Sequence, residues 1–310
     1  MEKVILDVDT GIDDALAILY AVESGALDIL GITAVNGNVP LQNVTKNTLK
    51  VLQLAGRQDI KVYPGASEPY LKEAQHVFHI HGKDGIGNAL DDMTVEGTEE
   101  NLFAADFIIE SVNKYPGEVT IILVGPLTNL ALALKKAPEI AGLIKRIVVM
   151  GGAVDCPGNI TPAAEFNIHA DAEAAKVVFH KGLDITLVGL DVTSQTMMDL
   201  SDIETLAGTK YYDFIKQSTD VYRKYGEELY GRNSCALHDP LTVGYVLDES
   251  LITTREVYTD VEITGELSYG QTIADFSNRL GQQPNMKVSL EVDSGRFVKH
   301  FIDTLGNQKS

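Results

Sequence analysis

Residues 4–23 read VILDVDTGIDDALAILYAVE, and the periodicity of this stretch changes near its middle. Residues 4–8 form a short β-branched run, which is typical of a strand buried on both faces. From Gly11 to Glu23 the apolar residues recur at helical spacing. A strand that passes through a polar turn into a helix is the first half of a βαβ unit. The stretch therefore predicts an α/β fold.

The same alternation continues along the chain. Further strands are predicted at residues 29–35, 119–124, 147–150, 185–190, 257–264 and 286–292. Further helices are predicted at residues 41–54, 100–114, 127–136, 171–180 and 296–305. This order predicts a mostly parallel central sheet flanked by helices, a Rossmann-like open sheet. Because no Pro/Gly/Ser-rich linker interrupts it, residues 1–310 are predicted to form a single domain.

Composition limits the possible partners. The formal net charge of −19 works against binding nucleic acid or an anionic membrane, and we expect a small-molecule partner. Two cysteines, Cys156 and Cys235, are too few for a disulfide framework. The sequence has no apolar run of membrane-spanning length and no secretory signal at its start, so we predict a cytoplasmic protein.

Four aspartates lie at the end of the first predicted strand. Asp7 and Asp9 share one face of the strand, and Asp13 and Asp14 fall in the first turn of the helix. Acidic residues at a helix N-terminus gain modestly from the helix dipole, which is the alternative explanation for Asp13 and Asp14. Four converging carboxylates repel one another unless a cation lies between them. The cluster therefore predicts a calcium or magnesium site.

Three known motifs compete for this segment. An EF-hand needs a glycine at the sixth position of its loop and a glutamate at the twelfth, where this chain has Ile12 and Ile18. A haloacid-dehalogenase-like phosphohydrolase, with Asp7 as nucleophile, would leave Asp13 and Asp14 surplus. The pattern Asp-x-Asp-x-Gly-x-Asp-Asp-Ala at residues 7–15 resembles the inosine-uridine-preferring nucleoside hydrolase family throughout.

Seven further blocks resemble the same family, in its order. They are Gly37-Asn38, His81-Gly82, Leu123 to Asn129, Met150-Gly151-Gly152, Asn159, Glu165-Phe166-Asn167 and His238-Asp239-Pro240. Taken alone, the last block also fits a helix start, with Asp239 as N-cap and Pro240 at the first helical position. Seven blocks in order are not expected by chance.

The resemblance implies hydrolysis of the N-glycosidic bond of ribonucleosides to free base and ribose, with Asp9 activating a Ca²⁺-bound water. It implies that Ca²⁺ is held by Asp9, Asp14, Asp239 and the carbonyl of Val124, with Asp7 as support behind them. It also implies a substrate site in which Asp13 and Asn38 bind the 2′-hydroxyl, Asn167 the 3′-hydroxyl, and Asn159 with Glu165 the 5′-hydroxyl, while Met150 packs under the sugar.

The leaving base is the less defined part of the resemblance. It implies His238 as a candidate acid, with His81 and Phe166 lining the base pocket. The aromatic-rich segment from Tyr211 to Tyr230 is interpreted as a helix pair or a mobile flap, and neither Tyr222 nor Tyr225 receives a role. Relatives are commonly dimers or tetramers, so we expect a homodimer or homotetramer. A non-catalytic nucleoside- or sugar-binding protein is the remaining alternative.

Overall fold

The computed structural model describes residues 1–231 and 233–308, apart from the side chains of residues 225, 229 and 230. The strands are β1 Glu2–Val8, β2 Leu27–Ala34, β3 Val62–Pro64, β4 Val119–Leu123, β5 Arg146–Met150, β6 Ile185–Val188, β7 Met197–Asp199, β8 Ser234–Ala236, β9 Ile252–Val257, β10 Thr259–Val261, β11 Thr272–Ala274 and β12 Met286–Val292. The helices are α1 Ile12–Glu23, α2 Leu41–Ala55, α3 Phe78–His81, α4 Ala104–Lys114, α5 Thr128–Lys136, α6 Phe166–Ala170, α7 Ala172–Phe179, α8 Leu190–Thr193, α9 Leu200–Glu204, α10 Tyr212–Tyr230, α11 His238–Leu247 and α12 Ser294–Gly306.

Eight strands form one central sheet in the order β3-β2-β1-β4-β5-β6-β12-β9. All neighbouring pairs are parallel except β12 with β9, which closes one edge antiparallel. Two small antiparallel pairs, β7 with β8 and β10 with β11, lie outside it. The predicted α/β class and the mostly parallel sheet are confirmed.

The sheet is buried on both faces because successive side chains of a strand point to opposite sides. In β1, Val4, Leu6 and Val8 contribute to one apolar core, whereas Ile5 contributes to the other. The first core contains α1 and α11, and the second contains α5 and α7. Helix α1 is buried from Ile12 to Val22 because it packs against α2, α11 and α12 as well as the sheet.

The carboxyl ends of β1, β2, β4 and β5 meet at one edge of the sheet. Asp7 of β1 is in register with Thr33 of β2 and with Leu123 of β4. The residues that follow these strands are therefore brought together, as expected for ligand sites in open α/β sheets.

Three local predictions are wrong. Residues 257–264 are not one strand: β9 ends at Val257, and β10 turns away to pair with β11. Residues 211–230 do not form a helix pair, because α10 is one continuous 19-residue helix, and the alternative of a mobile flap stays a prediction. Helix α11 begins at His238 with Leu237 as its N-cap, so Asp239 and Pro240 lie inside its first turn. The carboxylate of Asp239 is thereby free to join the acidic cluster.

None of the helices in the described ranges has both the length and the apolar character needed to cross a membrane.

Candidate active site

A cavity of about 510 Å³ opens at the carboxyl edge of the sheet. Most of the residues predicted for the site line it: Asp13, Asn38, His81, Val124, Met150, Asn159, Glu165, Phe166, Asn167, His238 and Asp239. Asp9 and Asp14 are fully buried directly behind this lining. The structure therefore brings all thirteen predicted positions to one place.

The acidic end of the cavity is built from α1 and α11. Asp13, Asp14 and Asp239 each offer a carboxylate oxygen within 4.8 Å of the other two. Asp14 also closes the N-terminus of α1, since it accepts hydrogen bonds from the backbone N–H groups of Asp9 (3.0 Å) and Gly11 (2.8 Å). The side chain of Asp14 thus caps helix α1 and also belongs to the carboxylate cluster.

Asp9 is held between two glycines. A Cβ at Gly37 would come within 2.0 Å of its Oδ2, and a Cβ at Gly125 within 2.9 Å of its Oδ1. Oδ2 accepts a 2.6 Å hydrogen bond from the backbone N–H of Asn38. Oδ1 is buried and has no hydrogen-bond partner among the described residues. Such an orphaned oxygen is costly unless it contacts a group that the protein itself does not supply.

Burial raises the pKa of every carboxyl group in the cluster. The pKa of Asp13 rises to about 8, mainly through burial and then through repulsion from Asp14. Burial, followed by repulsion between neighbours, also raises the pKa of Asp9 and of Asp239. No lysine or arginine of residues 1–231 and 233–308 lines the cavity. No protein cation therefore balances the cluster, and its carboxyl groups favour the protonated form unless an external cation binds.

Amide and carboxylate groups from the β5–α6 region form the polar floor. Asn167 donates to the carbonyl oxygens of Val124 (2.9 Å) and Met150 (3.2 Å). Glu165 caps α6 by accepting from the backbone N–H groups of Asn167 and Ile168, and it also accepts from Gly152. The side-chain oxygen of Asn159 accepts from the N–H of Phe166. These hydrogen bonds hold the side chains of Asn159, Glu165 and Asn167 in place without a bound ligand.

His81 also lines the cavity, and helix α1 orients its ring. Its Nδ1 accepts a 3.0 Å hydrogen bond from the backbone N–H of Ile12, so in the neutral ring the proton is on Nε2. Burial lowers the pKa of His81 to about 3. The ring lies 5.8 Å from that of Tyr222 on α10. His81 is therefore a neutral hydrogen-bond donor in the cavity.

His238 is fixed by α8. Its Nδ1 lies 2.8 Å from the hydroxyl of Thr193, and burial lowers its pKa to about 4.

Asp7 is placed differently from the other aspartates. It is fully buried, it is absent from the cavity lining, and its Oδ2 accepts from the hydroxyl of Thr33 (2.5 Å) and the amide of Asn129 (2.8 Å). Burial raises its pKa to about 7. Neither Thr33 nor Asn129 lines the cavity, whereas Asn38, the partner of Asp9, does. Asp7 therefore lies further from the cavity lining than Asp9, which does not suit the phosphohydrolase alternative.

Several lining residues were not predicted from the sequence. They come from α8, β7, β8 and α10, and include Leu190, Ser194, Met197, Tyr222, Gly226 and residues 234–236. In the sequence, the only hint of these positions was the short run of residues just before His238. The side chain of Tyr225 lies outside the described part of α10.

A cavity that is lined by a buried acidic cluster and by aromatic and imidazole groups, at the carboxyl edge of a parallel sheet, defines an α/β enzyme for a small ligand with polar and flat parts. Residues 4–299 match the family described as inosine-uridine preferring nucleoside hydrolase. The chain belongs to this family, and it is an enzyme that hydrolyses N-glycosidic bonds.

Individual relatives agree with this assignment. The chain is 38% identical over 306 residues to the pyrimidine-specific ribonucleoside hydrolase RihA of Salmonella arizonae, covering 97% of each. A solved plant nucleoside hydrolase is 36% identical with a TM-score of 0.94, covering 99% of each chain. The purine-preferring ribonucleoside hydrolase from Gardnerella vaginalis is 38% identical with a TM-score of 0.91, covering 98% of each chain. The phosphohydrolase and the non-catalytic binding protein are therefore set aside.

Proposed function

We propose that this enzyme cleaves ribonucleosides into free base and ribose, using a calcium ion held by Asp9, Asp14, Asp239 and the carbonyl of Val124. The observation that supports this most directly is the buried group of Asp13, Asp14 and Asp239 beside a cavity lined by amides and rings, together with the unpartnered Oδ1 of the buried Asp9. We assign the two parts of the substrate by their chemistry. The hydroxyl-rich sugar binds beside the carboxylates, and the flat base binds beside the aromatic and imidazole rings.

The donor set fits a hard divalent cation. Carboxylate and carbonyl oxygens are the ligands that calcium prefers, and the cluster offers no cysteine or histidine as a softer ligand. Bound there, a calcium ion would supply the positive charge that polarises water and the ribose hydroxyls. Asp13 also lies within the same group of oxygens, where its carboxylate can accept a hydrogen bond from the 2′-hydroxyl.

Water activation is assigned to Asp9. Breaking a ribosyl C–N bond builds positive charge at C1′, so a nearby carboxylate stabilises the transition state and takes a proton from the attacking water. Oδ1 of Asp9 is free to accept this proton, since only Oδ2 is hydrogen-bonded to Asn38. Asn38, Asn167, Asn159 and Glu165 hold the sugar, and Met150 packs under it.

We assign the leaving base to the part of the cavity that His81 and His238 line. His238 is the candidate acid. Burial lowers its pKa to about 4, so its ring is neutral at pH 7 and would have to gain a proton in the complex before it could protonate the leaving base. His81 and Phe166 complete the base pocket. His238→Ala should lower kcat on inosine and uridine roughly 10- to 100-fold. Unchanged kcat on both substrates would remove His238 from this role.

A reducing-sugar assay with uridine, inosine, cytidine and adenosine tests the proposal, with and without chelator. We expect ribose from at least one substrate, loss of activity in chelator and recovery when calcium is added. If none of the four releases ribose, the proposed function is wrong. If activity survives full chelation, only the metal assignment fails.

A second arm uses 2′-deoxyuridine. Removing the 2′-hydroxyl leaves the buried groups of Asp13 and Asn38 unpaired, so kcat/KM should fall at least about 100-fold relative to uridine. Equal rates would contradict the assignment of these two residues.

Assembly as a homodimer or homotetramer stays a prediction. Light scattering would measure the mass of the assembly as a multiple of 33.6 kDa.

A further inference from the structure

The loop between β5 and α6, residues 151–165, carries one of the sugar-binding residues to the cavity. Asn159 and Ile160 of this loop line the cavity, and Asn159 is assigned above to the ribose 5′-hydroxyl. Positions 155, 157, 159 and 162 of the loop are exposed. The core therefore contributes little to holding its tip, and the position of Asn159 depends on how the two arms of the loop are attached.

The second arm of the loop closes on itself. A Cβ at Gly158 would come within 2.1 Å of the carbonyl oxygen of Ala164, so the two arms touch at this point. The backbone N–H of Asn159 donates to the same carbonyl (3.2 Å), and its side-chain oxygen accepts from the N–H of Phe166 (2.9 Å). These contacts join the tip of the loop only to the segment that leads into α6.

The first arm is held by Asp191 on helix α8. Oδ2 of Asp191 accepts from the backbone N–H of Val154 (3.0 Å), and Oδ1 accepts from that of Asp155 (2.8 Å). The thiol of Cys156 hydrogen-bonds to the same carboxylate. Three consecutive residues are thus bound by one side chain. The three residues from Cys156 to Asn159 can span at most about 11 Å, so this attachment limits where Asn159 can lie.

The place of Asp191 in its own helix does not explain these contacts. An acidic residue in the first turn of α8 gains from the helix dipole, but both backbone partners of this carboxylate are 36 or 37 residues away. The chain just before α8 also passes very close to the loop, since a Cβ at Gly189 would come within 2.9 Å of the carbonyl oxygen of Gly152. Asp191 does not line the cavity, so it does not contact the substrate itself.

We propose that Asp191 is a positioning residue for the glycosidic reaction, and that its carboxylate holds the first arm of the loop so that Asn159 meets the ribose 5′-hydroxyl. This inference rests on the proposed function. It connects α8 to the sugar-binding loop, and it gives Asp191 an effect that depends on one hydroxyl group of the substrate.

The test compares kcat/KM for uridine and 5′-deoxyuridine, with inosine and 5′-deoxyinosine as a second pair. The wild type should favour the substrate that carries the 5′-hydroxyl. Asp191→Ala should lower kcat/KM roughly tenfold on the two nucleosides with this hydroxyl, and by less than about threefold on the two without it. Asp191→Asn keeps the size of the side chain but turns an amide N–H towards one of the two backbone N–H groups. It should shift the ratio in the same direction, and it keeps the test available if the alanine variant folds poorly.

Asp275→Asn is the matched control. The carboxylate of Asp275 also accepts from two backbone N–H groups, those of Arg279 (2.8 Å) and Leu280 (2.6 Å), but none of these residues lines the cavity. This variant should lower stability without changing the ratio of kcat/KM between the hydroxylated and the 5′-deoxy substrates.

A double mutant tests the link to Asn159. In an Asn159→Ala background, Asp191→Ala should lower kcat/KM for uridine by less than about twofold, because the contact that it positions is already absent. Full additivity, equal losses on both members of a substrate pair, or a wild type that does not favour the 5′-hydroxyl would overturn the proposal. A wild type that releases ribose from neither uridine nor inosine would instead refute the proposed function.

Discussion

Asp9 is the residue on which the proposed chemistry depends most. Its Oδ2 is held by the backbone of Asn38, whereas its Oδ1 is one of several buried side-chain oxygens without a partner among the described residues. Asp9→Asn keeps the shape of the side chain but removes its capacity to take a proton. We expect kcat on uridine to fall by about 10²- to 10⁴-fold, the range typical of a lost general base.

Asp7→Asn is the matched control for this prediction. Asp7 is equally buried and lies two residues away, but its Oδ2 accepts from Thr33 and Asn129, which do not line the cavity, whereas the partner of Asp9 is the lining residue Asn38. Its replacement should lower stability more than kcat, which we expect to stay within about tenfold. A larger kcat loss in Asp7→Asn than in Asp9→Asn would reverse the two assignments.

His81 allows a prediction about pH. The folded-state pKa of about 3 lies below the unfolded value of about 6.5, so between these values the unfolded chain binds more protons. This residue therefore makes folding less favourable as the pH falls below 6.5, by up to about 1.4 kcal/mol per pH unit.

Imidazole ¹⁵N NMR between pH 5 and 8 should show His81 neutral, with Nδ1 bare and Nε2 protonated. His81→Asn can still accept from the N–H of Ile12, and it should weaken the loss of stability below pH 6.5. A kinetic limb near pH 6.5 that disappears in His81→Asn would contradict the neutral assignment.

Helix α10 carries a buried arginine that connects two walls of the cavity. Arg223 is 4% exposed, and its Nη1 donates a 2.7 Å hydrogen bond to the side chain of Asn233. Asn233 directly precedes β8, whose residues line the cavity and lead to His238. The pair therefore holds α10 and its lining residues at a fixed distance from β8.

Arg223→Met removes this link but keeps a long side chain in the buried position. We expect KM for uridine and inosine to rise roughly tenfold, the effect of about 1.4 kcal/mol of lost substrate binding. Inhibition by free ribose should not change. Arg296→Met, the same substitution at an exposed arginine on α12, should leave KM unaltered. Reduced stability with an unchanged KM would make Arg223 a purely structural residue.

The form of α10 could not be predicted from the sequence. The mixed aromatic and charged composition favoured a helix pair or a mobile flap, whereas tertiary packing keeps the helix continuous. Ser218, Thr219 and Arg223 are buried, so contacts with the rest of the molecule stabilise the helix. By contrast, α1 was predictable because its apolar periodicity and its acidic first turn indicate the same element.

The parallel sheet explains why so much of the site could be predicted. Strand ends are recognisable in the sequence, and a parallel sheet gathers their carboxyl ends at one edge, so Asp13, Asn38, Met150 and Asn167 meet there. The walls from α8, β7 and β8 were missed because these elements are only three or four residues long. Elements this short give little periodic signal, and their positions depend on long-range contacts.

Metal removal should affect the stability of the whole molecule. The carboxylate cluster joins α1, at the centre of the first core, to α11 on the same face of the sheet. A cation bound only by the folded protein stabilises it by about 2.7 kcal/mol at 100 times its Kd. Chelation should therefore lower the melting temperature by about 5 °C, and calcium should restore it.

Two variants assign this effect to the cluster. Asp239→Asn should make the melting temperature independent of calcium, because it removes one charge from the group of three carboxylates. Asp155→Asn, at an exposed position outside the cavity lining, should respond to chelation as the wild type does. Since the buried carboxylates repel one another when no cation separates them, Asp239→Asn should also be more stable than the wild type in chelator. If it is less stable there, the three carboxylates stabilise the fold without a cation, and the calcium assignment is wrong.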